Sequence, residues 1–365
     1  MRSRLIVVAA LALATCAAAW PAAALAAPGN DNFPGQTLSG AVAETSGSTV
    51  GATREAGEPN DVYLSTSGTV WYSWTAPADG TVLLRTGGSD FTPMLAVYTG
   101  STLTGLQFVA ANQNGYSGNL EFDANAGMTY RIQVSGYGTQ TGHLEFQSIQ
   151  DTASPTIGAP THAFALGSEQ YSDQIPLTFS WTQADTGGSG ICQVNLRYSE
   201  DGGPFRVTYG YNHDVEWFQS GHSYRWGVQA IDCAHNASGW LAGPTVALKA
   251  VDQTAATFTK SWNLATGSAF FANTERYSAI QGASATFKIT ARSIAVLAPK
   301  GPNRGSMDVF VDGKLFTTVN LANRYGTSSQ ILARKAFATS GAHTVKLVAH
   351  AAKRVDADVI AGMSW

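Results

Sequence analysis

The sequence predicts an all-β protein made of three consecutive antiparallel β-sandwich domains after a signal peptide. Only 13% of its 365 residues are charged, whereas about a quarter is usual in soluble proteins. Glycine occurs 38 times, and 10% of the residues are aromatic. Short runs that alternate apolar and polar residues recur between Gly, Asp and Asn turns, whereas helical periodicity is nearly absent. This combination argues against a disordered chain, a coiled coil and a helical bundle.

The first 26 residues have the layout of a secretory signal peptide. Arg2 and Arg4 form a basic start, residues 5–14 are apolar, and Ala24-Leu25-Ala26 is a cleavage site of the A-x-A type. The apolar stretch is shorter than the ~20 residues that span a bilayer. We therefore expect a secreted, extracellular or cell-wall-associated protein with no transmembrane segment. A membrane anchor and lipidation of Cys16 are the alternatives.

Two polar joints, at residues 151–155 and 251–254, divide the remaining chain into predicted domains 27–150, 151–250 and 251–365. The formal net charge is −7 in the first domain, −5 in the second and +7 in the third. The third domain therefore offers a basic face to a polyanion, or it is a soluble module of different origin.

The first domain contains short alternating segments that predict a compact antiparallel sandwich. Its turns are expected at residues 78–80 and 124–127, where Gly, Asp and Asn cluster. The candidate strands are 69–76, 81–86, 94–99, 106–111, 119–123, 129–135 and 142–147.

Six motifs follow one another in this domain. They are NDNF at 30–33, EAGEPN at 55–60, VWYSW at 70–74, GSDF at 88–91, LAVYTG at 95–100 and AGMTYRI at 126–132. Their order resembles the bacterial pre-peptidase C-terminal family of β-sandwiches. The resemblance implies an accessory domain that is not itself catalytic.

Some domains related to that family bind calcium, which requires six to eight oxygen ligands. The acids available here as candidate calcium ligands are Asp31, Glu55, Glu58 and Asp61. The alternative is that the polar residues of this region, Asp31 among them, only cap turns. We expect no other cofactor.

The second domain has candidate strands at 176–181, 190–199 and 223–231. The spacing of Phe218, Gly221, Tyr224 and Val228 resembles the E–F corner and F strand of fibronectin type III domains. This resemblance implies that the Tyr224 hydroxyl ties the corner to nearby backbone. It also implies a disulfide between Cys192 and Cys233, at the same end of two neighbouring antiparallel strands, which export would permit.

The third domain contains a hairpin turn of the Asp-Gly type at residues 311–314. Its candidate strands are 257–263, 285–291, 293–298, 306–311, 314–320, 330–337, 341–348 and 356–363.

Four further motifs lie mainly in the loops of this domain: KGPNRG at 300–305, VFVDG at 309–313, VNL at 319–321 and GAHTV at 341–345. Together they resemble a galactose-binding-like jelly roll of secreted actinobacterial proteins. Such modules bind carbohydrate or act as spacers. Asp358 corresponds to an acid near the last strand of that family.

Four residues of the third domain are candidates for sugar binding. Trp262 and Tyr277 can stack on a sugar ring, although packing in the core is the alternative. Lys300 and Arg304 flank a Gly-Pro-Asn turn and are expected to be exposed.

Motifs of catalysis are absent from the sequence. Residues 187–190 lack the second glycine of a G-x-S-x-G elbow, and no H-E-x-x-H occurs. His213 and Asp214 are adjacent, and adjacent strand residues point to opposite faces. A pair of carboxylates that are distant in the sequence stays open.

We therefore expect a secreted, non-catalytic binding or adhesion protein whose basic third domain recognises polysaccharide or cell-wall polymer. Nucleic acid is not an expected partner, because no nucleic-acid motif accompanies the basic residues. A structural spacer of the cell envelope and a hydrolase with an unrecognised site are the alternatives.

Overall fold

The computed structural model describes residues 26–62, 65–112, 118–207 and 215–365. All of the predicted signal peptide except its last residue lies outside the described residues, as does the His213-Asp214 pair. The described chain consists largely of β-strands with three single-turn 3-10 helices, which confirms the all-β prediction. Among these residues, no helix has the length and apolar character needed to cross a bilayer.

The strands within these ranges are numbered in chain order. They are β1 (Gln36–Leu38), β2 (Val42–Ser48), β3 (Val70–Thr75), β4 (Gly80–Arg85), β5 (Pro93–Thr99), β6 (Gln107–Ala111), β7 (Leu120–Ala124), β8 (Thr129–Gly136), β9 (His143–Gln150), β10 (Thr156–Ile157), β11 (Thr161–Phe164), β12 (Gln174–Ser180), β13 (Gln183–Ala184), β14 (Ile191–Glu200), β15 (Arg206–Val207), β16 (Val215–Gln219), β17 (Ser223–Asp232), β18 (Leu241–Asp252), β19 (Thr257–Thr259), β20 (Asn263–Thr266), β21 (Thr274–Ser278), β22 (Ser284–Ala298), β23 (Ser306–Val311), β24 (Lys314–Asn320), β25 (Gln330–Ala349), β26 (Val355–Ala357) and β27 (Val359–Ser364).

The chain divides into two compact units. Of the described residues, those within 26–79 and 84–148 form the first unit, and those within 80–83 and 149–365 form the second. The division after Ser148 lies close to the domain boundary predicted at 150. The boundary predicted at 250 falls inside β18, so residues of the second and third predicted domains belong to one unit.

The first unit contains a five-stranded sheet in the order β1-β3-β8-β5-β6. A second sheet has the order β2-β9-β4-β7. The strands predicted for this region overlap β3 to β9. Trp71, Met94 and Tyr98 are buried together, and the rings of Tyr72 and Phe146 stack at 4.8 Å. Burial of such large rings is the main stabilising contribution to a sandwich core.

The second unit is organised by one long sheet, in the order β15-β14-β17-β18-β27-β22-β25-β23-β24, with β19 paired to β22. Strand β18 is antiparallel to β17 on one edge and to β27, the last strand, on the other. Its side chains alternate, so that Val246 and Leu248 are buried while Ala247 and Lys249 are exposed. This alternation is the pattern of a strand with one buried face, and it continues where the sequence predicted a polar joint.

The core of this unit is shared by residues that the sequence assigned to separate domains. One hydrophobic cluster contains Leu196 and Trp226 together with Leu297, Ile331 and Met363. The polar residues after β18 form a 3-10 turn, in which Asp252 accepts the backbone N–H of Thr254 at 2.8 Å. The residues interpreted as a linker therefore end a strand, and no joint separates the two sequence blocks.

Strands β14 and β17 hold the two cysteines. Cys192 lies at a register shift near the start of β14, and Cys233 directly follows β17. The two residues form a disulfide with Cα atoms 4.9 Å apart. The register shift explains how Cys233 reaches a partner although it is out of phase with the inward face of its strand.

The predicted tyrosine corner is present in β17. The Tyr224 side chain is 2% exposed, and its hydroxyl donates to the backbone carbonyl of Gln219 at 3.0 Å. The ring packs against Phe218 and Trp226 at centroid distances of 5.0 and 5.7 Å. Burial raises the pKa of Tyr224 above its ordinary value, so the hydroxyl keeps its proton for this bond.

Two pairs of strands predicted in the third domain are single long strands. Residues 285–298 belong to β22, which changes register between Ala291 and Ser293. Residues 330–348 belong to β25, which pairs with β22 along both halves. Such irregularities bend a strand without ending it. In the sequence they interrupt the alternation of apolar and polar residues, so each long strand was predicted as two.

Replacing Tyr224 with alanine is expected to lower the unfolding free energy of the second unit by roughly 3–5 kcal/mol. A buried ring leaves a cavity when it is removed, and the hydrogen bond to Gln219 is lost as well. Chemical denaturation measures the change. Tyr171→Ala is the matched control, because Tyr171 is 70% exposed and should change stability by less than about 0.5 kcal/mol. Equal effects of both variants would contradict the assigned corner.

Removing the disulfide with the double variant Cys192→Ser, Cys233→Ser is expected to lower the melting temperature of the second unit by roughly 10 °C. A bridge between cysteines 41 residues apart contributes about 4 kcal/mol in a chain-entropy estimate. Because β18 joins the two sequence blocks, the whole second unit should melt earlier. The transition of the first unit is the internal control in calorimetry, and an unchanged second transition would refute this prediction.

Candidate functional site

The small sheet β20-β21-β26 carries the candidate site. In this sheet Tyr277 lies opposite Asn263 in β20 and opposite Asp356 in β26. Directly opposed residues project from the same face, as do residues two apart in one strand. Glu275, Tyr277 and Asp356 therefore share one face of this sheet.

Two arginines cover two carboxyl groups on this face. Glu275 and Asp356 are both 0% exposed. Arg304 Nε donates to Asp356 Oδ2 at 2.6 Å, and Arg354 Nε donates to Asp356 Oδ1 at 2.7 Å. Arg354 also donates to Glu275 Oε1, and Arg304 Nη2 lies 3.8 Å from the same oxygen. These four residues are called the arginine–carboxyl cluster below.

The cluster has a net positive charge when Glu275 is protonated. Burial and the neighbouring Asp356 raise the pKa of Glu275, although both guanidinium groups oppose the shift. Two adjacent buried carboxyls do not ionise together readily. Glu275 Oε2 receives no hydrogen bond, and a proton on this carboxyl allows it to donate to Asp356. Two guanidinium groups and one carboxylate then remain, which favours an anion nearby.

Paired carboxyls that differ in protonation are also the groups that glycosidases use. In this cluster both carboxyls lie beneath Arg304 and Arg354, so a substrate does not reach them. Only 13% of the Arg304 side chain is exposed, compared with 30% for Arg354. The geometry therefore favours attraction of an anion by the outer guanidinium surface over proton transfer.

Two loops extend the cationic surface. Gly301 donates its N–H to the backbone carbonyl of Leu321 at 2.9 Å, and Thr327 donates to that of Lys300 at 3.0 Å. A Cβ on Gly301 would collide with the Arg304 guanidinium. A side chain at this position would require the Arg304 guanidinium to shift, whereas glycine leaves it in place beside Asp356.

The second of these loops presents an exposed aromatic residue. Tyr325 is 67% exposed, and the Arg324 guanidinium lies 5.3 Å from its ring centroid. On the cluster side, the Arg354 guanidinium lies 4.0 Å from the ring centroid of Tyr277. Cations over aromatic faces provide both charge and a stacking surface. The set Lys300, Arg324 and Tyr325 is called the loop surface below.

The structure brings together two of the predicted sugar-binding residues, Tyr277 and Arg304. The expectation that Arg304 is exposed is wrong, because its guanidinium is bound to buried Asp356, and Lys300 is half-buried. Trp262 packs on Phe258 at 5.2 Å, and its indole N–H donates to a backbone carbonyl. Its environment is that of the core alternative.

Sequence reasoning did not single out the loop surface residues Arg324 and Tyr325, or the buried acid Glu275. The sequence signal for Arg324 and Tyr325 is an adjacent basic and aromatic residue in a Gly- and Asn-containing loop, ANRYG at 322–326. For Glu275, no local pattern distinguishes a buried acid from an exposed one. Its role depends on a partner 81 positions later in the chain.

The four candidate calcium ligands are used in other contacts or lie exposed. Asp31 and Glu55 each accept a backbone N–H at 2.6 Å, Glu58 accepts the indole N–H of Trp71 at 3.1 Å, and Asp61 is exposed. In the described part of the chain, these acids do not form a compact group of three or more ligands. Calcium binding by this set remains a prediction, and the contacts match the turn-capping alternative.

Two other compact acidic groups occur in the described ranges: Glu200, Asp201 and His222, and Asp151, Asp185 and Asp232. In both groups the carboxylates accept local hydrogen bonds, for example from the backbone N–H groups of Ser223 and Gly190 to Asp201 and Asp185 at 2.8 and 2.7 Å. These bonds account for the acids as loop-ordering residues.

Asp358 lies two residues beyond Asp356 and is also 0% exposed. It accepts the backbone N–H of Phe271 at 3.1 Å and the hydroxyl of Ser329. Burial raises the pKa of Asp358 to about 7. This residue therefore fixes two loops to the last strands of the sheet, which is a structural role.

No protein-family model and no curated protein matches the chain. The resemblances to pre-peptidase C-terminal, fibronectin type III and galactose-binding-like domains therefore remain predictions. The chain is similar to solved structures of a β-glucuronidase from Ruminococcus gnavus, in complex with D-glucuronic acid and in the apo form, at 9% and 10% identity. Both matches have a TM-score of 0.20 and cover 51% of this chain and 37% of that one, so the chain spans little more than a third of the enzyme. A TM-score this low carries no argument about fold or activity.

Raising the pH from 4 to 7 is expected to weaken the stabilising contribution of Asp358. Its pKa is about 7 in the folded chain and about 3.9 in an unfolded chain. The contribution is fully present below pH 4 and is lost as the pH rises through 7. Asp358→Asn should therefore remove up to about 4 kcal/mol of pH dependence, because one pKa unit corresponds to about 1.4 kcal/mol. Chemical denaturation at several pH values measures this slope.

Asp312→Asn is the control for this experiment. Hydrogen bonds from the Thr344 backbone and from His343 lower the pKa of Asp312. Its contribution is therefore present at neutral pH and is lost as the pH falls, which is the opposite direction. An unchanged slope in Asp358→Asn would contradict the assigned titration.

Proposed function

We propose that this chain is a secreted, non-catalytic binding or adhesion protein that recognises an acidic polysaccharide or cell-wall polymer through its basic C-terminal region. The observation that carries the proposal is the loop surface beside the arginine–carboxyl cluster. An exposed Tyr325 lies there next to Arg324, and the cluster is net cationic when Glu275 is protonated. Sugar rings stack on aromatic side chains, and anionic groups are attracted by guanidinium.

The charge distribution supports the same ligand class. Residues 251–365 have a formal net charge of +7, against −12 for residues 27–250. A polyanion is attracted to the basic region and repelled by the rest of the chain. The predicted signal peptide and the disulfide both suit an extracellular setting. The spacer role is the competing function, and it requires no loop surface.

The proposal predicts that Arg324→Ala with Tyr325→Ala weakens retention of the full chain on purified wall polymer about tenfold, which corresponds to about 1.4 kcal/mol. Retention is measured over a salt series. It should fall steeply as salt rises, because charges are screened within about 10 Å at 0.1 M salt. The full chain is the correct reagent, since β18 joins the third sequence block to the second.

The matched control is Arg206→Ala with Tyr171→Ala, which removes one exposed arginine and one exposed tyrosine elsewhere in the second unit. Its retention should match that of the unmodified chain. Absence of retention by the unmodified chain would favour the spacer role. An equal loss of retention in both variants would reject the loop surface as the binding site. Equal retention of the unmodified chain on DNA would show that the attraction depends on charge alone and is not specific for wall polymer.

A further inference from the structure

One end of the core of the second unit contains an imidazole between two indole rings. His162 lies in β11, directly opposite Phe179 of β12, which packs against the same core. The centroid of the His162 ring lies 5.2 Å from that of Trp226 in β17. It lies 4.9 Å from the centroid of Trp365, which directly follows β27. A titratable ring therefore forms part of the contact that holds Trp365 against the core.

Strand alternation shows that these rings point to one side. Residues two apart in a strand share a face of the sheet. Phe164 and Met363 lie two residues from His162 and Trp365, respectively, and both are buried in the hydrophobic cluster that contains Trp226. The register thus agrees with the measured ring distances, and the three rings converge at this end of the core.

This end of the core offers no hydrogen-bond acceptor to a protonated His162. The Nε2 atom of His162 is buried and has no hydrogen-bond partner. The other unpartnered buried atoms near these rings are Trp226 Nε1 and Arg292 Nε. Both of them carry a hydrogen and can only donate. In the part of the chain that the structure describes, no carboxylate forms an ion pair with His162.

The charged side chains that contact these rings or the His162 strand are arginines. The Arg292 guanidinium of β22 lies 4.6 Å from the ring centroid of Trp365, and Arg334 of β25 donates to the backbone carbonyl of Phe164. The rings that β12 and β17 contribute are uncharged. Burial lowers the pKa of His162 to about 4. Indole faces attract an imidazolium weakly, whereas a buried charge without an acceptor is costly, so the neutral ring is the form that this environment favours.

The partners of His162 can separate from the core without disruption of the inner strand pairs. Strand β11 is the edge of the sheet β11-β12-β16 and pairs with β12 alone. Trp365 is 39% exposed and lies beyond Ser364, where the pairing of β27 with β18 ends. Loss of the contacts of His162 would therefore affect one edge strand and one residue after a strand.

We propose that His162 is a pH-sensitive switch: its neutral ring holds Trp365 and the edge strand β11 against the core, and protonation of the ring releases them. A histidine in an unfolded chain titrates at about 6.5. The stabilising contribution of the neutral ring is therefore fully present above that pH and is lost as the pH falls towards 4. The inference goes beyond the proposed function, because it uses no residue of the arginine–carboxyl cluster or of the loop surface.

The test is an NMR titration of the full chain, labelled at histidine and tryptophan, from neutral to acid pH. Comparison with His162→Phe and Trp365→Phe assigns the two signals. The His162 ring should titrate about two pH units below an exposed histidine. The indole signal of Trp365 should move towards the position of a solvent-exposed indole with the same midpoint. A His162 midpoint near that of an exposed histidine would overturn the proposal, as would a Trp365 signal that stays unchanged while His162 titrates.

Two variants separate His162 from the other groups that titrate in acid. His162→Phe keeps an aromatic ring and removes the titration, so Trp365 should stay packed at the pH that releases it in the unmodified chain. The matched control His143→Phe removes a histidine of the first unit whose side chain is 51% exposed, and it should leave the release of Trp365 unchanged. Release at the same pH in His162→Phe would reject the switch. If that variant does not fold, the agreement of the two midpoints in the unmodified chain decides the question.

Discussion

Strand β18 is hydrogen-bonded along both of its edges, and the arrangement of the second unit depends on this pairing. One edge pairs with β17, next to the tyrosine corner, and the other pairs with β27, the C-terminal strand. Val246 and Leu248 enter a core that also contains Leu297 and Met363. Separation of the two sequence blocks would expose this core and leave a row of backbone groups unpaired.

The arginine–carboxyl cluster shows how a chain with few charges uses them. Burying Glu275 and Asp356 is costly, because each loses its hydration. Arg304 and Arg354 offset this cost through charge-assisted hydrogen bonds at 2.6 and 2.7 Å to Asp356. The arginine side chains are thereby fixed before any ligand arrives, so ligand binding requires little further loss of side-chain entropy. A cluster of this kind fixes the orientation of its side chains more than it increases the stability of the fold.

Local sequence patterns were sufficient to predict the structural features that depend on residues close together in the chain. Alternation predicted β3 to β9 and the β14–β17 pair, and the resemblance to fibronectin type III domains around Tyr224 implied its hydrogen bond. Strand β18 was missed because Asp252 and its polar neighbours resemble a linker, although they cap the end of a strand. The pairing that identifies β18 as a strand involves β27, more than a hundred residues away.

The candidate site was predictable only in part, because it also depends on contacts between residues that are distant in the sequence. Tyr277 and Arg304 were named from residue type, and the structure places both at the cluster. Whether Arg304 faces solvent depends on Asp356, 52 residues later, and on the missing side chain of Gly301. Residue type reports what a group can bind, whereas burial decides which partner it has.

The buried carboxyl of Glu275 makes folding of the second unit a reaction that consumes a proton. In an unfolded chain at neutral pH this carboxyl is ionised, since its ordinary pKa is near 4.3. In the folded cluster, burial and the neighbouring Asp356 raise the pKa of this carboxyl, although Arg354 and Arg304 oppose the shift, so folding favours its protonated form. The hydrogen ion is therefore taken from the buffer as the sheet closes, and the heat of folding includes the ionisation enthalpy of that buffer. The heats measured in phosphate and in Tris would therefore differ by the difference between the ionisation enthalpies of these two buffers for each proton taken up. In this sense the solvent proton is a component of the folded sheet.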